Sequence, residues 1–229
     1  VLRPLDFADI CRLTFHDAAR ANVADKDREN VYSQAGSLCF LARSSEVVAQ
    51  SSTVTAILID WRTHTLKRVV HSTFAAETLS ACEGVGSAVL LRAALLECRY
   101  GPRLDLDDID PQLCPIISIT DCKSVFDTVQ REGPLKLPSE RRLALDVAAL
   151  REMIRSEAPF LDEKRLYQLP MRWVPTSFQL ADCLTKDMNG EALRQAMQDG
   201  IINLRLEDPN AMEQCIKHGC DCAPPVLKQ

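Results

Sequence analysis

The sequence has no long hydrophobic run, no excess of positive charge and no glycine-rich phosphate loop. No apolar stretch approaches the roughly 18 residues that a membrane-spanning helix needs, so we expect no membrane span and no membrane partner. The net charge of -5 argues against a general electrostatic attraction to nucleic acid, which leaves only local binding. Neither a basic start nor a signal-like apolar stretch follows Val1, so we expect a segment of a longer product.

Ten cysteines are present, but their spacing is not that of a disulfide framework. Seven are scattered singly through apolar or mixed contexts, which predicts reduced core thiols and favours an intracellular compartment. The other three, Cys215, Cys220 and Cys222, lie near His218 with a spacing that matches no common zinc finger. We predict one domain over residues 1–206 and a loosely attached tail over residues 207–229.

Hydrophobic periodicity predicts an α/β fold. The predicted order is three strands, a helix, a strand, two helices, a strand and a final helix. The strands are expected at residues 10–15, 32–43, 52–61, 115–120 and 165–175, and the helices at residues 72–98, 122–130, 139–158 and from 177 onward with an interruption near Gly190. This order favours a five-stranded mixed sheet, a three-strand antiparallel meander plus two parallel strands, with helices on both faces.

The segment PIISITDCKS places a carboxylate where a core residue is expected. In a strand the period of two puts Ile117, Ile119 and Asp121 on the same face. An unpaired buried charge is unfavourable, so Asp121 needs a partner, a cation or a place at the edge of the core.

Two other carboxylates stand in similar positions. Asp17 ends the apolar face of the first predicted strand, and Glu77 begins an apolar stripe of small residues on the predicted long helix. If the first and fourth strands are parallel neighbours, Asp17 and Asp121 meet at one sheet edge, near Glu77. Three converging carboxylates repel one another unless cations neutralise them, which predicts a magnesium or manganese site.

Four short motifs in order resemble a known family: SQAGSLCFL at residues 33–41, STFAAE at 72–77, TDCKS at 120–124 and QLADCLTK at 179–186. Together they closely resemble the ribonuclease H domain that ends the polyprotein of copia-type retrotransposons. The similarity extends from about Arg12 to Lys186. Each motif alone is weak, but their order is specific.

The resemblance implies a ribonuclease H-like fold and hydrolysis of the RNA strand of RNA/DNA hybrids. It implies that Asp17, Glu77, Asp121 and Asp182 hold two divalent ions, Mg²⁺ or possibly Mn²⁺. Asp17 would bridge both ions, Asp182 would complete the site of the water-activating ion, and Glu77 with Asp121 would complete the other. It also implies an upstream reverse transcriptase domain, and an intracellular location, in a cytoplasmic virus-like particle or in the nucleus.

Several side chains are candidates for contacts with nucleic acid. Ser124, Arg141 and Lys186 are the predicted phosphate contacts. Trp61 and Trp173 adjoin predicted strands, so core packing is favoured over stacking on bases.

The chain departs from related patterns in two places. The segment VPTSFQLAD lacks the histidine that cellular ribonucleases H carry before the last helix, which predicts slow turnover. The motif that leads to Glu77 is one residue longer than the copia form Ser-Thr-x-Ala-Glu.

Two alternatives to a nuclease of this type stay open. The negative net charge is compatible with an inactive connector that only packs against a reverse transcriptase. An integrase or transposase of related fold also needs clustered acids, but its catalytic glutamate normally comes last along the chain, whereas Glu77 comes early.

Overall fold

A mixed sheet with helices on both faces forms the core of the chain. The computed structural model describes residues 4–25, 28–49, 51–101, 109–131, 133–134, 138–157 and 170–204. The elements are β1 Ile10–Asp25, β2 Arg28–Arg43, α1 Ser44–Val48, β3 Thr53–Thr65, α2 Thr73–Tyr100, β4 Ile116–Thr120, α3 Lys123–Gln130, α4 Arg141–Ser156, β5 Met171–Trp173, α5 Asp182–Thr185, α6 Glu191–Asp199 and β6 Ile201–Asn203.

The strand order within the described residues is β5-β4-β1-β2-β3-β6. β1, β2 and β3 form an antiparallel meander, and β4 and β5 add to it in parallel. The predicted architecture, an α/β mixed sheet with a three-strand antiparallel meander, two parallel strands and helices on both faces, is therefore confirmed. The sheet has six strands rather than the predicted five, because β6 pairs antiparallel with β3. β6 has only three residues, too few to show a period of two.

β1 lies in the middle of the sheet and is buried on both faces. Leu13 and Phe15 pack into the core on the side of α5 and α6, together with Leu38 and Ile119. The other face carries polar residues and meets α2, where Arg12 donates a hydrogen bond to the backbone oxygen of Ala88. Both faces of this strand are therefore covered, as expected for a strand that helices flank on either side.

The hairpin between β1 and β2 is longer than predicted. The first predicted strand ends at residue 15 and the second begins at residue 32, but much of the segment between them is strand, since β1 continues to Asp25 and β2 begins at Arg28. The pairing is irregular between Ala19 and Val23, and Ala21 adopts a φ of 57°. Asp17 therefore lies inside β1 rather than at its end, and it faces Gly36 of β2. Cross-strand pairing stabilises this extension, and the local pattern of residues does not reveal it.

α2 begins where the sequence predicts. Ser72 caps its N-terminus by accepting a hydrogen bond from the backbone N–H of Ala75. The buried stripe includes Glu77 and then turns toward Arg92 and Leu96, whereas Leu91 and Leu95, which lie in line with Glu77, are half-buried. A period of 3.6 residues returns from Glu77 to Leu95, so the buried face shifts by about one residue along this helix of 28 residues.

By length and composition alone, α2 meets the criterion for a helix that could cross a membrane. The expectation that no stretch approaches this length was therefore wrong. Core helices of soluble proteins meet the same criterion, and α2 packs against β1, β2, β4 and α4. Its buried polar residues, such as Glu77 and Arg92, indicate a core role for this helix.

A buried ion pair holds the far half of α2. The Nη1 atom of Arg92 lies 2.8 Å from both carboxylate oxygens of Glu157, just after α4. The same carboxylate accepts a hydrogen bond of 3.2 Å from the backbone N–H of Ile116. This carboxylate therefore joins α2, α4 and the first residue of β4.

The end of the described chain places a proline where a sheet tolerates it and agrees with one further prediction. Pro170 directly precedes β5, which lies at the edge of the sheet, where a missing N–H donor is tolerated. The predicted interruption near Gly190 is present, since α5 ends at Thr185 and α6 begins at Glu191. Residues 158–169, which include part of the predicted last strand, and the predicted tail at 207–229 lie outside the described residues.

The seven described cysteines are free thiols. Cys11, Cys39 and Cys114 are buried, as predicted for small core residues. Cys98 is exposed near the end of α2, so the prediction of a core position was wrong for it.

α5 is a helix of four residues that other segments hold in place. Such a short helix cannot satisfy its own backbone carbonyls. Asn22 donates to the oxygen of Thr185 at 2.7 Å, and Thr63 donates to the oxygen of Leu184 at 2.9 Å. Gly36 of β2 allows the close approach, because an added Cβ would lie 2.7 Å from Leu184 Cβ and 2.9 Å from Thr185 Cγ2.

We expect Gly36→Ala to lower the free energy of unfolding by about 1–3 kcal/mol, because α5 must move away from β2. The matched control is Gly86→Ala in α2, where an added Cβ meets nothing within 4 Å. The free energy of unfolding of the control should rise by about 0.5–1 kcal/mol, because alanine has a higher helix propensity than glycine. Urea unfolding of both variants measures the difference, and equal stability of Gly36→Ala and the unsubstituted protein would contradict the close packing.

Candidate metal centre

Asp17 and Asp121 lie side by side at one edge of the parallel pair β1 and β4. Phe15 and Ile119 are the last residues paired in register, and each aspartate follows two residues later. Asp17 is 1% exposed, and Asp121 is half-buried. The shared register of two parallel strands therefore brings two carboxylates together that are far apart in sequence.

Glu77 of α2 completes a group of three carboxylates. One ligand atom from each of Asp17, Glu77 and Asp121 lies within 4.8 Å of the others. Glu77 is 5% exposed, and its Oε2 atom has no hydrogen-bond partner among the residues that the structure describes. A buried carboxylate oxygen without a donor is unfavourable, so this oxygen requires a proton or a cation.

The surroundings of Glu77 favour its neutral form when no cation is present. Burial raises its pKa most, and the charges of Asp17 and Asp121 raise it further, to about 9. The backbone N–H of Ala18 donates to the carboxylate and opposes this rise. A carboxylic acid that keeps its proton at neutral pH is typical of a site that is built to receive positive charge.

Asp182 lies beside this group, and Lys186 connects the two because it contacts both Asp182 and Asp17. It begins α5 and does not belong to the group of three carboxylates. The Lys186 Nζ atom lies 2.8 Å from Asp182 Oδ1 and 3.4 Å from Asp17 Oδ1. The structure thus places Lys186 among the carboxylates, where the sequence predicted a phosphate contact.

The Asp182–Lys186 pair shifts the pKa values of both residues. Burial raises the pKa of Asp182 to about 6, the hydrogen bond from Lys186 opposes this rise, and the charge of Asp17 adds to it. Burial lowers the pKa of Lys186, but its hydrogen bond to Asp182 and the charge of Asp17 outweigh burial, so the net direction is upward. Lys186 is therefore a cation at neutral pH.

Three side chains that sequence reasoning did not assign to the site orient the aspartates. Thr185 donates a hydrogen bond from Oγ1 to Asp17 Oδ2. Trp173 donates from Nε1 to the backbone oxygen of Asp121 at 2.9 Å, and Ser80 donates to the backbone oxygen of Asp17 at 2.8 Å. The spacing of Thr185 and Lys186, three and four residues after Asp182, was the available signal, since such residues share a helix face.

Of the remaining candidates, Ser124, Arg141 and Trp61 are exposed, and Trp173 is half-buried. Ser124 is exposed in the first turn of α3, three residues after Asp121, and Arg141 is exposed at the first residue of α4. Trp61 of β3 is 62% exposed, so the prediction of core packing was wrong for it. Trp173 is half-buried and packs beside the core formed by α2, α3 and α4, as predicted.

The side chains fit a hard divalent cation. Mg²⁺ and Mn²⁺ prefer oxygen ligands, and this group supplies three carboxylates, one of which has an unpartnered buried oxygen. Positive charge at this point would also remove the repulsion that raises the pKa of Glu77.

Comparisons with known proteins give two structural similarities. No protein-family model and no curated protein matches the chain. The N-terminal RNase H domain of a Mycobacterium tuberculosis protein, solved as a fusion with maltose-binding protein, aligns with a TM-score of 0.41 and 16% identity. The alignment covers 77% of this chain and 96% of that one. The NurA nuclease from Sulfolobus solfataricus aligns with a TM-score of 0.33 and 12% identity, over 81% of this chain and 54% of that one. Similarities at this level do not assign a family or a function.

We expect the stability of the metal-free protein to fall as pH rises from about 4.5 to 9. The native state keeps the Glu77 proton up to a pKa of about 9, whereas the unfolded chain releases it near the usual value of 4.5. The native state therefore binds more protons than the unfolded chain in this window, so stability is lost as pH increases. Urea unfolding in the presence of a chelator, at a series of pH values, measures this slope.

Glu77→Gln should remove most of that slope and raise the free energy of unfolding at pH 8 by roughly 1–3 kcal/mol. Asp182 should still contribute a falling slope up to about pH 6, and His16, whose burial lowers its pKa to about 4, should oppose it between about pH 4 and 6.5. Glu97→Gln, an exposed position on the same helix, is the control and should keep the slope of the unsubstituted protein. An unchanged slope in Glu77→Gln would show that Glu77 is already ionised without metal.

Proposed function

We propose that this chain is a metal-dependent nuclease that hydrolyses the RNA strand of RNA/DNA hybrids. One observation carries the proposal: Asp17, Glu77 and Asp121, from β1, α2 and β4, have ligand oxygens within 4.8 Å of one another, and a buried oxygen of Glu77 has no partner among the described residues. A purely structural role does not require three carboxylates to converge at one sheet edge.

Each carboxylate has a defined task in this proposal. Asp17, Glu77 and Asp121 would hold a divalent cation, Mg²⁺ or Mn²⁺, and Asp182 with Asp17 would provide ligands for a second one. When bound, such cations lower the pKa of water and stabilise the negative charge that develops on phosphate oxygens. Thr185 and Trp173 fix the orientation of Asp17 and of the backbone at Asp121. Glu77 is only 5% exposed, and such a buried carboxylate is better placed to bind an ion than to contact a ribose hydroxyl of a substrate.

The substrate part of the proposal is supported by the motifs of the sequence. The segments at residues 33–41, 72–77, 120–124 and 179–186 resemble, in this order, those of copia-type ribonucleases H. We propose accordingly that the chain acts within a retroelement polyprotein, inside the cell and next to a reverse transcriptase. Ser124 and Arg141 are exposed, as a phosphate contact requires. The net charge of -5 makes a partner domain useful for substrate capture.

Asp121→Asn should reduce cleavage of a labelled RNA/DNA hybrid in magnesium by roughly 10³-fold, because the variant loses a charged metal ligand. The fold should remain intact, since Asp121 is half-buried and its backbone oxygen still accepts the Trp173 hydrogen bond. The control is Asp127→Asn, an exposed position on α3 that should cleave like the unsubstituted protein. Absence of cleavage by the unsubstituted protein, beside an active control enzyme, would refute activity in isolation.

Magnesium titration distinguishes an enzyme from an inactive connector. The melting temperature of the unsubstituted protein should rise saturably with Mg²⁺, and a concentration of 100 times Kd corresponds to about 2.7 kcal/mol of added stability. Asp121→Asn should show a much smaller rise, whereas Asp127→Asn should behave like the unsubstituted protein. A connector would show no saturable rise in any of the three proteins.

A further inference from the structure

Lys186 lies between the two carboxylates proposed above as ligands of a second divalent cation. Its Nζ atom lies 2.8 Å from Asp182 Oδ1 and 3.4 Å from Asp17 Oδ1, the two residues assigned to the second ion. We propose that Lys186 is a resident, displaceable cation of this second position, so that the substrate-free protein binds one divalent ion and not two. The inference rests on the proposed function and concerns how many ions its site takes.

The charge balance of the site favours one lysine together with one divalent ion. Asp17, Glu77, Asp121 and Asp182 carry four negative charges when all are ionised, and the Lys186 ammonium and one divalent ion supply three positive charges. A second divalent ion between Asp17 and Asp182 would lie next to the ammonium and would be repelled by it. The second ion therefore requires that Lys186 leaves.

The contacts of Asp17 separate the two positions. Thr185 donates to its Oδ2 atom, while Lys186 contacts Oδ1. Each carboxylate oxygen can accept more than one partner, so Asp17 remains available to the group with Glu77 and Asp121. Lys186 contacts Asp17 and Asp182 but makes no described hydrogen bond to Glu77, whose Oε2 has no partner among the described residues. The first position is therefore open while the second is filled.

Lys186 can leave without disturbing the backbone. Its own N–H donates to the backbone oxygen of Asp182 at 2.9 Å, which anchors the residue at the end of α5. Its side chain is 41% exposed, whereas those of Asp17 and Asp182 are 1% and 6% exposed. The ammonium thus lies on the solvent side of the carboxylates, on a flexible stem. A phosphate of the bound substrate is an anion that can attract the ammonium outward, and this makes room for the second ion.

Titration of the full chain with Mn²⁺, followed by calorimetry and by electron paramagnetic resonance, tests the proposal. The unsubstituted protein should bind one Mn²⁺ per chain. Lys186→Met removes the charge with little change in volume and should bind two, the second at least roughly tenfold more tightly than in the unsubstituted protein. Lys186→Arg retains a cation and should bind one. Lys67→Met, at an exposed position outside the site, should also bind one.

Two results would overturn the proposal. Binding of two ions by the unsubstituted protein without substrate would show that Lys186 does not block the second position, and this result does not depend on how any variant folds. A single ion in Lys186→Met, with a circular dichroism spectrum like that of the unsubstituted protein, would show that the lysine is not what excludes the second ion. Both results leave the metal-dependent nuclease intact, whereas failure of the unsubstituted protein to bind any Mn²⁺ would refute both proposals.

Discussion

Mutual repulsion of buried carboxylates is the constraint on which the candidate site depends. Asp17, Glu77 and Asp121 are held within 4.8 Å by two strands and a helix, which leaves little freedom to separate them. A proton on Glu77 relieves part of this repulsion, and positive charge at the site relieves more of it. The chain supplies the Lys186 ammonium, and we propose that a divalent cation comes from solution.

The fold supplies the site from the main sheet and from a four-residue helix. Asp17 lies on the central strand, and Asp121 follows its parallel neighbour, so the main sheet fixes both. Asp182 and Lys186 lie on and just after a four-residue helix that is held by side-chain hydrogen bonds and by the close approach of Gly36. The main sheet and α2 thus position three of the four carboxylates, whereas Asp182 and Lys186 depend on a short helix.

The sequence predicts the parts of this arrangement that follow from local periodicity. Asp121 was identified because a period of two places it on the face of Ile117 and Ile119, and both isoleucines are buried in one core. The start of α2 near residue 72 was predicted, and Ser72 caps it. The extended hairpin and β6 were missed because pairing between distant strands stabilises them. Lys186 was expected to contact a phosphate. Its contact with Asp17 was missed because it depends on tertiary structure alone.

Helix α2 links the candidate site to the opposite end of the core. Glu77 lies near its start, and Arg92 follows roughly 22 Å further along the axis at 1.5 Å per residue. The buried pair of Arg92 with Glu157 resists both sliding and rotation of this helix. The depth at which the Glu77 carboxylate enters the site is thus set partly by an ion pair that never meets the substrate. We therefore expect sequence changes around Glu157 to alter the affinity of the proposed metal site while every proposed ligand stays the same.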